Sequence, residues 1–426
     1  MTRLVHHAAI LCLCANLVVL SGCLGTETRD ATADADATTT TETTTFTPVC
    51  AVDADCKGSP QTCVDGVCVF QPSAGQTAAL TDPDQDNIIT DKPIQLDCVG
   101  LAHDASLAGL PDVPTVTMWG RVDRFGGGVI TADVEVAVFK LADFHPQACA
   151  GLTDPATSQA CYRDEAKVGA PLAKIVSIDP AKAAELGLDL ASLSAAGANC
   201  DKHLACPSGY ECRKTVSETS KTCIPTHGIY ALEGIPTHTP LVVRVRGTKT
   251  GNKWHDSYLW DVTLYSDRLD VIGAATQPSK FVGKPTYRVN PTIVGDGQWQ
   301  LVPNTIGLQP ISEGNGVIGG RIRDCGVPGG RGGWPIHNAK IGLGVPAEGI
   351  AFFNASEDDT VPLKSSTATD VLGRYAAVDI PAGPNRLAAS ALIGDKITPL
   401  GSMDVWIIPN ALMLVSMPGR VPVLTK

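Results

Sequence analysis

Along most of this chain, apolar residues alternate with polar or small ones in short runs closed by glycine and proline, the period-two pattern of half-buried strands. Val134, Val136 and Val138 form one such run, and Tyr258, Trp260, Val262 and Leu264 another within "WHDSYLWDVTLYSD". Further on, Val317, Gly319 and Arg321 alternate with Ile318, Gly320 and Ile322, and Ala339, Ile341 and Leu343 follow a glycine-rich turn. "RLAASALIG" and "NALMLVSM" read as more strands. A short helix is expected where Asp179 can cap it and Pro180 sits at its first position. One phrase occurs twice: "GIYALEGIP" at 228–236 returns as "GRYAAVDIP" at 373–381, identical at five of nine positions.

Short strands joined by Gly/Pro turns pack as antiparallel sandwiches, so the expected fold class is all-β. Each copy of the phrase belongs to one sandwich, residues 114–270 and residues 314–426. The first is interrupted: some 87 residues separate Lys140 from Gly228 where the second copy needs about 30, so residues 142–226 read as an insertion. Residues 71–113, which are acidic, and 271–313 are expected as linkers. The second sandwich closes its contacts within about 113 residues, an ordinary domain size, and is expected to fold alone.

Three groups of residues in the C-terminal part form a recognisable series: Gly320, Arg321, Ile322 and Asp324; Asn338, Ala339 and Ile341; then Asp370, Gly373, Tyr375, Ile380, Pro381 and Gly383. The series resembles the transthyretin-like, or carboxypeptidase regulatory-like, family over about residues 314–426, and the segment around the first copy fits the same plan. The resemblance implies two antiparallel transthyretin-like (Ig-like) β-sandwiches. In each, a glycine permits the turn, a tyrosine packs at the sandwich edge and Ile-Pro enters the next strand. Tyr230 and Tyr375 would then recur for structure. The regulatory-like domain is the non-catalytic part of its peptidases, and the wider fold is shared with sugar-binding modules, so carbohydrate recognition is one expectation by fold analogy.

Composition adds an address. Lys and Arg number 33 against 44 Asp and Glu, an acidic excess that argues against a nucleic-acid partner. The chain opens with a single Arg before the apolar stretch Ala8 to Leu20, too short to span a bilayer and right for a secretory signal. Leu20-Ser21-Gly22-Cys23 then resembles the lipobox of bacterial lipoproteins, which implies cleavage after residue 22 and acyl chains on Cys23 that hold the protein to a membrane. Leu24 rather than Asp follows the cysteine, which in that family favours the outer membrane. Residues 23–49 are Thr-, Ala- and Asp-rich and read as a disordered tether, roughly 30 Å long as a random coil and about 90 Å at full stretch.

Of fifteen cysteines, twelve remain once the signal is cleaved and Cys23 is lipidated, an even number that suits disulfides in an exported chain. Cys50, Cys56, Cys63 and Cys68 form one small module, residues 50–70, and Cys200, Cys206, Cys212 and Cys223 a second, residues 200–223, inside the insertion. Cys98, Cys149, Cys161 and Cys325 are the remaining candidates. Spacing does not fix connectivity, and first-to-third with second-to-fourth is the preferred pattern for each module. Zinc is the rival for the second set, where His203 lies nearby, but no paired C-x2-C occurs.

Candidate chemistry is sparse. There is no H-E-x-x-H, G-x-S-x-G or P-loop, no cofactor is expected, and the chain is not read as an enzyme. Intradiol dioxygenases share the transthyretin-like pattern and bind iron through two Tyr and two His, yet His103, His145, His203, His227, His238, His255 and His337 show no pair at ligand spacing. Asp82, Asp84 and Asp86 place carboxylates at alternate positions like the first half of a calcium loop, although Asn87 replaces its Gly and Pro93 its final Glu. Trp334 and His337 lie in a loop able either to meet a ligand or to anchor a turn. The function expected is a lipid-anchored envelope module that binds or supports an envelope protein or a polysaccharide, with an uncharacterised envelope enzyme as the rival from another class.

Overall fold

The first cysteine module is a hairpin, β1 (Gln61–Val64) and β2 (Val67–Phe70), in a computed structural model. The structure describes residues 46–57, 60–82, 87–99, 113–125, 131–186, 210–213, 222–225, 227–248, 254–265, 284–326, 333–353 and 362–417. Asp65 and Gly66 between the strands take positive φ, 48° and 87°, the backbone that Asp-Gly favours in a two-residue hairpin turn. Cys50–Cys63 and Cys56–Cys68 staple the preceding loop to the hairpin in the first-to-third, second-to-fourth pattern.

Strands run through both stretches expected as linkers. In the first, β3 (Ala79–Asp82) pairs with β4 (Asn87–Ile89), and Leu80 and Ile89 enter a core. Next come β5 (Thr115–Arg124) and β6 (Val134–Lys140). The insertion carries α1 (Pro155–Arg163), α2 (Glu165–Val168), β7 (Ala173–Val176), a 3-10 helix Pro180–Leu186 at the expected Pro180 start, and the hairpin β8 (Tyr210–Arg213) and β9 (Thr222–Pro225). The first copy of the phrase is β10 (Gly228–Pro236), followed by β11 (Leu241–Gly247), β12 (Trp254–His255) and β13 (Ser257–Val262). The second expected linker holds β14 (Thr286–Arg288), β15 (Thr292–Gly295), α3 (Asp296–Trp299) and α4 (Leu301–Ile306). Beyond it lie β16 (Asn315–Ile322), β17 (Ile336–His337), β18 (Ala339–Leu343), β19 (Gly349–Phe353) and β20 (Pro362–Leu363). The second copy is β21 (Arg374–Pro381), and β22 (Gly383–Ile393), β23 (Lys396–Ile407) and β24 (Leu412–Met417) complete the described chain.

The longest sheet has nine strands in the order β20-β19-β21-β16-β24-β13-β11-β6-β7. It crosses the boundary between the two expected sandwiches through the parallel pair β13 and β24, where Tyr258 lies opposite Met413. A five-stranded sheet, β10-β5-β15-β12 with β14 also on β5, faces β6 and β11. Met118, Val122, Tyr230 and Leu232 meet Val136, Val138, Leu241 and Val243 there. On the opposite face of the long sheet, Phe139, Val242, Tyr258 and Trp260 join a larger core with Ile318, Tyr375 and Val415 and with Ile341, Leu387 and Ala389 of the three-stranded sheet β18-β22-β23. Burying an aliphatic side chain of this kind contributes about 1.5–3 kcal/mol, so these shared cores oppose separation of the halves. Cys98–Cys325 adds a cross-link over 227 residues, and β17 pairs with β3. Residues 314–426, expected to fold alone, therefore share sheet, core and a disulfide with the rest of the unit that begins at residue 44.

The repeated phrase is one local structure built twice. In the first copy Tyr230 pairs with Gly120 of β5, and in the second Tyr375 pairs with Gly320 of β16. A third strand runs parallel on the other side of each glycine strand: β14 beside β5, and β24 beside β16. A Cβ at Gly120 would collide with the Val289 carbonyl oxygen, and one at Gly320 with that of Val415. Those same oxygens accept the tyrosine hydroxyls, Tyr230 Oη at 2.7 Å and Tyr375 Oη at 2.6 Å. Four residues after each tyrosine the pairing slips by one residue, and the residue there has positive φ: Gly234 at 76° and Asp379 at 58°. Both tyrosines are fully buried, which pushes their hydroxyl pKa values up and keeps them as donors. Ile235-Pro236 and Ile380-Pro381 then close each strand.

Candidate functional site

The chief concentration of charged side chains among the described residues lies where the insertion covers the outer face of β6, β11 and β13. Strand alternation decides who is there. In "LVVRVRG", Leu241, Val243 and Val245 enter the core beneath the five-stranded sheet, which turns Val242, Arg244 and Arg246 to the opposite face. Arg244 is flanked in register by Ala137 of β6 and Tyr258 of β13. Over this face sit α1 and α2, two short helices set up by caps: Asp154 accepts from Thr157 N at 2.7 Å with Pro155 at the first position, and Asp164 accepts from Ala166 N at 3.0 Å. The disulfide Cys149–Cys161 fixes the approach to α1.

Ion pairs join this flap to the sheet. Arg163 of α1 holds Asp256 through two bonds, Nε to Oδ2 at 2.8 Å and Nη2 to Oδ1 at 2.7 Å, and the Asp256 carboxylate in turn lifts the Arg163 pKa. Arg244 Nη2 donates to Glu135 Oε1 at 3.0 Å and to Glu165 Oε1 at 2.8 Å. Arg246 Nε lies 2.8 Å from Glu135 Oε1, and Lys174 Nζ 2.8 Å from Glu165 Oε2. Burial works against the Glu165 carboxylate, but the bonds from Lys174 and Arg244 outweigh it and hold its pKa below the usual value. Burial, with the Asp256 charge adding to it, raises Tyr258 far enough to keep it a neutral phenol. Every carboxylate here is engaged by a cation, so the cluster works as an electrostatic clamp and offers no general base. Arg244 Nε and Nη1 and Tyr258 Oη, all buried, have no hydrogen-bond partner among the described residues.

Apart from the Cys149–Cys161 disulfide, the residues singled out from sequence lie elsewhere. Cys23, Asp84, Asp86, Cys200 and Cys206 fall outside the described residues. Asp82 ends β3 opposite Asn87 of β4. Trp334 is half-buried with the Lys92 ammonium 4.6 Å above its ring, and its backbone N donates to Asp324 Oδ1 at 2.7 Å. Asp324 is fully buried and also accepts from Gln95 N and Gly326 N, both at 3.2 Å, tying this loop to the segment that carries Cys98. His337 pairs with Ala79 in β17. Cys212 and Cys223 are disulfide-bonded and face each other across β8 and β9, as Cys63 and Cys68 do across β1 and β2. The clamp itself was missed by sequence reasoning. Its signal was the pair of arginines two residues apart in an otherwise apolar strand.

The fold is thus a mostly-β assembly with disulfide-bonded modules. No protein-family model matches the chain, and no curated protein matches it. Among solved structures, a mutant of the shaft pilin SpaA from Lactobacillus rhamnosus GG aligns over 72% of this chain and 99% of that one, at 8% identity and a TM-score of 0.15, a level that carries no argument about fold or function.

Proposed function

We propose that this chain is an exported lipoprotein, held to the outer membrane by acyl chains on Cys23, whose β-rich body acts as a non-catalytic binding or structural module of the cell envelope. The observation that carries the reading is Leu20-Ser21-Gly22-Cys23 directly after the apolar stretch, ahead of a body stapled by disulfides. The two Tyr-Gly-carbonyl latches support a duplicated, transthyretin-like sandwich as its building unit. The paired state of the carboxylates around Arg244 favours binding over acid-base catalysis. Partitioning in a phase-separating detergent tests the anchor: the wild-type chain goes to the detergent phase and Cys23→Ala to the aqueous phase. Equal partitioning of the two refutes acylation. A pull-down from envelope extracts with the Cys23→Ala chain then asks whether the partner is a protein or a polysaccharide.

A further inference from the structure

We infer that the helical flap over β6, β11 and β13 encloses a binding site for a small organic carboxylate, with Arg244 and Tyr258 as its recognition residues. The observation is chemical. A guanidinium and a phenol are fully buried side by side on one sheet face, and two N–H-bearing atoms of the first and the hydroxyl of the second have no partner among the described residues. A guanidinium has no acceptor atom, so its free N–H groups call for an acceptor such as a carboxylate oxygen. Leaving donors of a charged group unsatisfied in a dry interior is costly, and native proteins seldom do it. Across the strand pairs Ala137 has no polar side chain, the Tyr258 hydroxyl makes no hydrogen bond to the guanidinium, and Phe139 lies under it at 5.0 Å.

Charge points to an anion. Four cations, Arg163, Lys174, Arg244 and Arg246, meet three carboxylates, Glu135, Glu165 and Asp256. One negative charge is wanting for balance, and a monocarboxylate supplies it together with acceptors for both donors. The side chains of Arg163, Glu165 and Arg246 around it are 37%, 25% and 22% exposed, while Arg244 is wholly covered. The neighbouring aromatics Phe139, Phe144 and Trp260 suit a short aliphatic or aromatic acid. This deepens the binding-module reading by giving it a ligand class, and its test is independent of anchoring.

The test is calorimetric titration of the purified full chain with sodium acetate and with sodium chloride at matched ionic strength, repeated on Tyr258→Phe and Arg244→Lys. Acetate is expected to bind saturably and chloride not. Tyr258→Phe removes a hydroxyl that has no partner among the described residues, so its melting temperature without acetate should equal the wild type's, while acetate binding falls at least about tenfold through loss of a bond to a charged group. Arg244→Lys should weaken acetate binding similarly, and should it fail to fold, Tyr258→Phe decides alone. No saturable acetate binding, binding unchanged in Tyr258→Phe, or chloride binding as tight as acetate would each overturn the assignment.

Discussion

The outer faces of β6-β11-β13 and β18-β22-β23 are covered by opposite means. At the middle of the β18–β22 face the residues are small, Gly342 and Ala388, and the first cysteine module lies directly on them: Val64, Val67 and Val69 pack on Ala388, and a Cβ at Gly342 would press on the Cys68 carbonyl. Two disulfides shape that cover, and Arg386 Nη1 and Ser402 Oγ fasten it through Asp65 at 2.9 and 2.7 Å. On β6 and β11 the outward residues are large and charged, and the cover is a pair of short helices fastened by ion pairs with one disulfide. A hairpin of ten residues has too little apolar surface to hold itself and depends on covalent staples. The helical flap depends on charges that must stay paired.

The contrast rests on two equivalent inner frameworks, and the largest expected effects strike those. Gly120→Ala and Gly320→Ala drive a methyl into a backbone carbonyl that has no room to move, so each should cost about 3 kcal/mol, in equal measure. Urea unfolding checks this, and a tolerated alanine at one site only would break the equivalence of the copies. Next in size, replacing Cys50 and Cys63 together by Ala opens a loop of 13 residues and should cost the first module about 2–3 kcal/mol, with hydrogen exchange rising in 61–70 and not in 155–168. Exchange rising equally in both would mean the covers are not independent. Tyr230→Phe and Tyr375→Phe each remove one buried hydroxyl bond and should each lose about 1 kcal/mol by the same unfolding assay.

The smallest effect is acid loosening of the flap. Glu165 has a folded pKa below its unfolded value, so its contribution is present above the unfolded pKa and lost as pH falls through the folded one. Exchange in 155–168 should therefore rise below about pH 4, by less than about 1 kcal/mol because a quarter of the side chain is in water. A flap equally protected at pH 3 and pH 7 would show that Glu165 does not hold it.

What could be read from sequence followed local signals. Period-two alternation marked β6, β13, β16 and β18, and the repeated phrase marked β10 and β21 as equivalents. What escaped depends on distant partners. Strands β3, β4, β14 and β15 are three or four residues long, too short for alternation to register, and most of their stability comes from pairing elsewhere: β14 and β15 with β5, β3 with β17. The helices α1 and α2 are too short for a 3.6-residue period, although Asp154-Pro155 carries the same cap signal as Asp179-Pro180. Arg244 escaped because a charged residue in a strand reads as solvent-facing, and only the flap, folded over from 70 to 100 residues earlier in the chain, makes its position an interior.

The central claim is that both copies of the phrase belong to one structure held by a continuous sheet through β13 and β24. Native-state hydrogen exchange over a urea series tests it most directly. Amides of Val243 and Leu259 on one side of the junction, and of Leu414 and Ile318 on the other, should open with the same free energy and the same urea dependence. Two separate opening free energies, divided between β13 and β24, would contradict it.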